Sequence, residues 1–215
     1  MALKLILGNK NYSSWSFRPW LALKVAGVAF EEAVLPIYIP GAREKILEYS
    51  PSGKVPVLID GPVCVWESLA IIEYVAEKFP DAGLWPEQDG ARAHARAVAN
   101  EMHGGFLPLR RKCPMNMRRA PGAIELLPDV LANIARIDEI WTDCRARHGG
   151  PFLFGALGAA DAMYAPVVSR FLTYDIAVGP IARAYMDAVT SLPAWSEWRA
   201  KAVEETWVLP EFEIA

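Results

Sequence analysis

The spacing of apolar and polar residues changes near residue 80 and divides the chain into two parts. Before that point, short apolar runs bounded by Gly, Asn or Pro alternate with segments of helical spacing. The predicted elements are a strand at 3–7, a helix over 17–25 capped by Ser16, a strand at 30–35, a helix at 44–49, strands at 57–59 and 63–65, and a helix over 69–79 capped by Ser68. This order predicts an α/β domain with helices on both faces of a four-stranded sheet.

Residues after 80 keep helical spacing to the end of the chain, without convincing strand alternation. The stretch Gly83–Leu84–Trp85–Pro86 predicts a linker, because Pro86 stops a helix and the aromatic ring can pack between the domains. Helical stretches are predicted at 91–119, with breaks near Pro108 and Pro114, and at 126–147. We therefore expect an α/β thioredoxin-like domain at 1–80, a linker at 81–88 and an all-α domain at 89–215.

Composition and charge exclude several classes of protein. The chain has 215 residues, 53% of them hydrophobic and 22% charged, and a net charge of −3, which argues against nucleic-acid binding. No apolar run reaches membrane-spanning length, and the start of the chain is too short and strand-like for a signal peptide. Three cysteines at wide spacing form no metal motif. We expect a cytoplasmic protein with unpaired thiols, no metal and no membrane partner.

The stretch around Pro56 carries the first chemical signal. Val55 precedes a proline and is therefore biased to extended geometry, while a proline entering a strand lacks a backbone donor. A cis Val55–Pro56 bond would turn the Val55 backbone outward to pair with an extended ligand. The helix that begins near Ser68 offers free N–H groups to an anion. A small peptide with a free carboxylate fits both features, and a plain hairpin followed by a capped helix is the alternative.

The same residues resemble a known signature. Gly53–Lys54–Val55–Pro56–Val57–Leu58, followed by Glu67–Ser68, is similar to the glutathione-binding signature of the glutathione S-transferase superfamily. The resemblance implies that Val55 pairs with the cysteinyl backbone of glutathione, that Glu67 and Ser68 hold its γ-glutamyl end, and that Lys54 reaches its glycyl carboxylate. It also implies a homodimer, and a buried helix after Gly158 in which Asp161 supplies one half of a capping box.

A serine-rich stretch precedes the first predicted helix. A glutathione thiol has a pKa of ~8.5, and a hydroxyl donor beside a helix N-terminus lowers it. Tyr12–Arg18 resembles the Ser-Ser-Cys-Ser-x-Arg motif of the zeta class, which includes maleylacetoacetate isomerases. Matched by position, Ser13 replaces the catalytic serine, Ser14 is its neighbour, and Trp15 stands where that class has cysteine. The order favours Ser13 over Ser14 as the catalytic hydroxyl, and plain helix capping is the alternative for both.

Three functional hypotheses follow from the resemblance. The first is a glutathione transferase that joins glutathione, its only implied cofactor, to an electrophilic small molecule at the wall of the second domain. The second is an isomerase of the maleylacetoacetate type, which Trp15 disfavours, and the third is a non-catalytic glutathione-fold binding module. Five basic residues form either a solvated face or an anionic-substrate cleft: Arg110, Arg111, Lys112, Arg118 and Arg119. His103 is a weaker candidate for the same cleft.

Overall fold

The first third of the chain folds around a small mixed sheet. The computed structural model describes residues 3–214. The outer ends of the two predicted domains, Met1, Ala2 and Ala215, lie outside the described residues. The strands are β1 (Leu3–Leu7), β2 (Phe30–Val34), β3 (Val57–Asp60) and β4 (Val63–Trp66), in the order β2-β1-β3-β4. β1 is parallel to β2 and antiparallel to β3, and β3 is antiparallel to β4. This arrangement confirms the predicted α/β fold class.

Three helices accompany the sheet, and their starts differ from the predicted ones. They are α1 (Ser14–Val25), α2 (Ala42–Leu47) and α3 (Ser68–Lys78). The N-cap of α1 is Ser13 rather than Ser16, so Pro19 lies inside the helix and not in a harmless first turn. α2 begins and ends two residues before its predicted bounds. The cap position of α3 is Glu67, so the prediction of Ser68 as the cap is wrong by one residue.

The second domain is helical. Its helices are α4 (Asp89–Gly104), α5 (Leu107–Lys112), α6 (Pro128–His148), α7 (Ala159–Thr173), α8 (Pro180–Thr190) and α9 (Pro193–Glu204). The predicted stretch 91–119 is therefore two helices followed by irregular chain, because Pro114 and its neighbours do not continue the helix. α7 is buried over nearly its whole length and packs against α1, α4 and α8. Its apolar residues join the two domains in one continuous core.

The start of α7 has half of a capping box, as predicted. The Asp161 carboxylate accepts hydrogen bonds from the Gly158 N–H (2.9 Å) and the Leu153 N–H (3.0 Å). Gly158 has no side chain to return the bond, and the Leu84 carbonyl instead accepts from the Ala159 N–H (2.8 Å). Burial raises the pKa of Asp161 to about 6, against the opposing effect of the two backbone N–H donors. A backbone carbonyl from the interdomain chain thus satisfies one of the free N–H groups at the start of α7.

After α9 the chain runs back to the start of α1, and we call residues 205–213 the C-terminal segment. Glu205 accepts a hydrogen bond from the Asn11 N–H (3.0 Å). Arg118 donates to the carbonyl of Glu205 and to that of Trp207 (2.7 Å). These bonds hold the segment so that Phe212 reaches the surface beside α1, where it lies against Tyr12 and Tyr38. The end of the chain thereby becomes part of the candidate site.

Candidate functional site

The predicted binding residues around Pro56 line one cleft. The Val55–Pro56 peptide is cis, as predicted. Within residues 3–214, neither the N–H nor the C=O of Val55 takes part in a hydrogen bond. The cleft beside it has a volume of about 270 Å³ and is called the Pro56 cleft. It is lined by Trp15, Ser52, Lys54, Val55, Pro56, Glu67 and Arg110. A free main-chain donor and acceptor at this edge suit an extended peptide that pairs with the chain.

Glu67 and Ser68 stand at the junction of β4 and α3. Glu67 has φ +70° and ψ 130°, a backbone conformation that a non-glycine residue rarely adopts and that is concentrated at functional sites. Its side chain is 52% exposed, with one carboxylate oxygen 3.9 Å from Nε2 of His103. Ser68 is fully buried, and its Oγ has no hydrogen-bond partner among residues 3–214. Because Ser68 does not cap the helix, its buried hydroxyl is left without a partner, and it does not itself line the Pro56 cleft.

The serines lie in an adjoining cleft of about 170 Å³, called the Ser13 cleft. It is lined by Tyr12, Ser13, Ser14, Trp15, Ile37, Tyr38, Leu107, Arg110, Arg111, Arg170 and Phe212. Trp15 and Arg110 line both clefts, so the two spaces meet at this pair of side chains. Two connected clefts at the domain boundary thus bring together the predicted site residues except Ser68, which is buried and lines neither cleft.

The two serine hydroxyls have different hydrogen-bond partners. Ser13 Oγ donates to Ser16 Oγ (2.8 Å) and accepts from the Ser16 N–H, as an N-cap does. Ser14 Oγ accepts from Nη2 of Arg170 (3.2 Å), and no acceptor for its own proton exists among the described residues. Ser13 and Ser14 are only 5% and 7% exposed, respectively. The Ser14 proton is therefore free to donate to a ligand, while the Ser13 proton is already used.

Arginines dominate the electrostatics of the site. Arg18 is fully buried, donates from Nε to the Met163 carbonyl (3.1 Å), and has no partner for Nη1 or Nη2 within residues 3–214. Burial, with Arg170 and Arg110 nearby, lowers the pKa of Arg18, and burial lowers that of Arg170 to about 10. In the described part of the chain, no carboxylate lies within 4.0 Å of the guanidinium nitrogens of Arg18, Arg110 or Arg170. These three guanidinium groups thus have no ion-pair partner among the described residues.

The basic cluster predicted from the sequence is divided by the fold. Arg110 and Arg111 line the Ser13 cleft, whereas Arg118 holds the C-terminal segment. Arg119 lines a separate pocket near Trp195. Only two of the five clustered residues therefore face the candidate site.

Sequence reasoning missed five residues of the Ser13 cleft, namely Ile37, Tyr38, Leu107, Arg170 and Phe212. A charged residue within the apolar run of 162–171 was the available signal for Arg170. His103 lies near both clefts, with its ring centroid 5.2 Å from that of Trp15. Burial and the nearby charge of Arg18 lower the pKa of His103.

Residues 3–214 contain neither a metal-binding group of side chains nor a membrane-spanning helix. No group of three or more His, Cys, Asp or Glu side chains is arranged to hold a metal ion. No helix in this range combines the length and apolar character needed to cross a bilayer.

Comparison with known proteins identifies the family. The family model "Glutathione S-transferase, N-terminal domain" matches residues 12–78, and "Glutathione S-transferase, C-terminal domain" matches residues 116–201. The chain is 29% identical to a glutathione S-transferase 1 of Dianthus caryophyllus over 86% of each chain. It is 41% identical to a probable maleylacetoacetate isomerase of Caenorhabditis elegans, over about half of each chain (49% and 50%). A Burkholderia glutathione transferase homologue, solved with bound glutathione, has the same fold, with a TM-score of 0.72, 21% identity and coverage of 94% of this chain and 98% of that one. The chain belongs to the glutathione S-transferase superfamily.

Proposed function

We propose that this protein binds glutathione in the Pro56 cleft and transfers its thiolate sulfur to an electrophilic small molecule. The observation that carries the proposal is the pairing of a hydrogen-bond-free Val55 backbone with a partnerless Ser68 hydroxyl at the start of α3. Family membership supports it, as does the relative with bound glutathione. A buried hydroxyl without a partner is rare, and a peptide ligand would satisfy it together with the half-buried Val55 backbone.

The proposed binding mode assigns each end of glutathione to a feature of the cleft. The cysteinyl backbone pairs with Val55, while the γ-glutamyl carboxylate takes the Ser68 hydroxyl and the free N–H groups of α3. Glu67 offers a carboxylate to the γ-glutamyl ammonium, and Lys54 offers a charge to the glycyl carboxylate. This arrangement directs the thiol toward Trp15 and the adjoining Ser13 cleft.

The thiolate is proposed to be stabilised by a serine hydroxyl at the start of α1. Both Ser13 and Ser14 are candidates, and the hydrogen bonds favour Ser14 because its proton is free. Arg170 occupies a lone pair of Ser14 Oγ and places a positive charge beside the thiolate. Its other N–H groups bond to the carbonyls of Cys113 (2.8 Å) and Pro166 (3.1 Å), which fix its orientation. We assign Ser13 the role of helix cap.

The second domain supplies most of the wall that an electrophile would meet. Leu107, Arg110, Arg111 and Arg170 reach the Ser13 cleft from α5 and α7, and Phe212 reaches it from the C-terminal segment. The division into a glutathione-binding domain at 1–80, a linker at 81–88 and an electrophile-binding domain at 89–215 remains our proposal, as does a homodimer.

Isomerisation of the maleylacetoacetate type is the second candidate function. The names of two relatives favour it, the probable isomerases of C. elegans and of Vibrio cholerae, the latter 33% identical over 51% of its length. Trp15, which fills the position of the zeta-class cysteine with a bulky ring between the two clefts, argues against it.

The experiment is a screen of glutathione with aryl halides, epoxides, peroxides and maleylacetone. Conjugation of an aryl halide or epoxide above the spontaneous rate supports the transferase. Turnover of maleylacetone alone would support the isomerase, and no turnover of any class would leave only a binding module.

A further inference from the structure

The Ser13 cleft combines an arginine wall with an aromatic wall. Arg110, Arg111 and Arg170 line one part of it, and no Asp or Glu is among its lining residues. The aromatic part is formed by four residues: Tyr12, Trp15, Tyr38 and Phe212. Flat rings offer apolar faces to a planar ligand, while guanidinium groups are suited to carboxylates.

The arginine charges of this cleft are not neutralised by ion pairs among residues 3–214. The guanidinium carbon of Arg110 lies 4.4 Å from the Trp15 ring centroid, and its one hydrogen bond, to the Gly105 carbonyl, is long at 3.5 Å. Arg111 is exposed and has neither a hydrogen bond nor an ion pair among residues 3–214. The side-chain bonds of Arg170 all go to neutral oxygens. An unpaired charge is costly where it is buried, as that of Arg170 is, so an anionic ligand would be favoured in this cleft.

The nearest acidic side chain of the C-terminal segment is already engaged. Glu213 accepts a hydrogen bond from the Tyr12 hydroxyl and one from Asn116 (3.0 Å), and it lies 3.8 Å from Arg118. It therefore pairs with the residues that hold the segment in place and leaves Arg110 and Arg111 free.

We propose that the electrophile is a planar aromatic compound that carries a carboxylate, held by Arg110 and Arg111 against the aromatic wall. This inference rests on the proposed glutathione transferase function and specifies its substrate class. The carboxylates of glutathione are not the anions bound by Arg110 and Arg111, because the proposed binding mode assigns them to Lys54 and to the start of α3 in the Pro56 cleft. Arg111 lines only the Ser13 cleft, so its substitution tests the anion site of that cleft without changing the lining of the Pro56 cleft.

The proposed step is a nucleophilic aromatic substitution. The glutathione thiolate forms a C–S bond at the ring carbon that bears a halide, and the C–halogen bond then breaks as the halide leaves with the electron pair. The thiol proton has already passed to solvent. The carboxylate of the ring does not react and serves only for recognition.

The test compares 4-chloro-3-nitrobenzoate with its uncharged methyl ester. Each kcat/KM is divided by the rate constant of the spontaneous reaction with glutathione, because the ester group activates the ring carbon more strongly than the carboxylate does. We expect wild type to favour the carboxylate in kcat/KM by about tenfold, the size of one charge-assisted contact. Arg111→Met is expected to reduce the carboxylate-to-ester ratio of kcat/KM about tenfold. Arg119→Met removes an equal charge from a different pocket and serves as the matched control, with an unchanged ratio.

A second arm does not depend on turnover. Binding of 3-nitrobenzoate and of its methyl ester, which have no leaving group, is measured by calorimetry with glutathione-saturated protein. The anion site is supported if wild type binds the carboxylate more tightly than the ester and Arg111→Met loses this preference. If neither chloride is turned over in that case, only the proposed transferase function fails. Equal or better turnover and binding of the ester would overturn the inference and leave the transferase function intact.

Discussion

Replacing Ser14 by alanine tests the proposed source of thiolate stabilisation. Its hydroxyl is buried, accepts from Arg170 and retains a free proton for the glutathione sulfur. Ser14→Ala removes that donor, and with it the bond that Ser14 Oγ accepts from Arg170, but it keeps the guanidinium charge of Arg170. A hydrogen bond to a charged group contributes roughly 1.5–3 kcal/mol, which corresponds to a rise of about one to two units in the pKa of the bound thiol.

Ser13→Ala is the matched comparison, because the two serines are neighbours with almost the same exposure. The Ser13 hydroxyl donates to Ser16 and caps α1, so its loss should lower the free energy of unfolding by about 1 kcal/mol. We expect it to leave the pKa of bound glutathione nearly unchanged. Turnover near neutral pH should fall roughly ten- to a hundredfold in Ser14→Ala and much less in Ser13→Ala.

The assay is thiolate absorbance against pH for glutathione bound to wild type and to each variant, with urea unfolding as a check on stability. A pKa rise in Ser13→Ala alone would refute the assignment of Ser14 and restore the order that the sequence motif favoured. An unchanged pKa in both variants would leave Arg170 and the N–H groups of α1 as the stabilising groups.

Three further predictions concern the start of α7 and the charge beside Ser14. Gly158→Ser should destabilise the protein by about 1–3 kcal/mol although serine is a better cap, because a Cβ there would lie 2.8 Å from the Leu84 carbonyl oxygen; increased stability in urea would contradict this. Native Asp161, with its pKa of about 6 against 3.8, binds its proton more tightly than the unfolded chain, so its contribution to stability should decline as the pH rises from about 4 to 6. Asp161→Asn should lack that decline in urea titrations, and an equal slope in both proteins would refute it. Arg170→Met should raise the pKa of bound glutathione further than Ser14→Ala does, since it removes a charge as well as the orientation of the hydroxyl; an equal or smaller rise would count against the electrostatic role.

Local sequence patterns predicted the features that depend on neighbouring residues. The Val55–Pro56 pair predicted its cis geometry, and Asp161 predicted half of a capping box. The N-terminal limit of α3 was missed by one residue because Glu67 adopts a positive φ that its residue type does not signal. That single shift changes the role of Ser68 from a helix cap to a free hydroxyl.

Features that depend on distant residues could not be predicted in this way. The choice between Ser13 and Ser14 depends on Arg170, which α7 brings to α1 from the other domain. Phe212 enters the site only because Arg118 holds the C-terminal segment. Contacts of this kind follow from the packing of whole elements, and no short-range spacing in the sequence encodes them.

Titration of the protein with glutathione by calorimetry is the most direct test that the Pro56 cleft is a glutathione site. We predict saturable binding of one glutathione per chain, and an affinity about tenfold weaker in Ser68→Ala, which removes the buried hydroxyl without a partner. Ser191→Ala, which changes an exposed hydroxyl at the end of α8, is the control and should bind like wild type. Absence of saturable binding in wild type would contradict the proposed site, and equal affinity in Ser68→Ala would remove that hydroxyl from it.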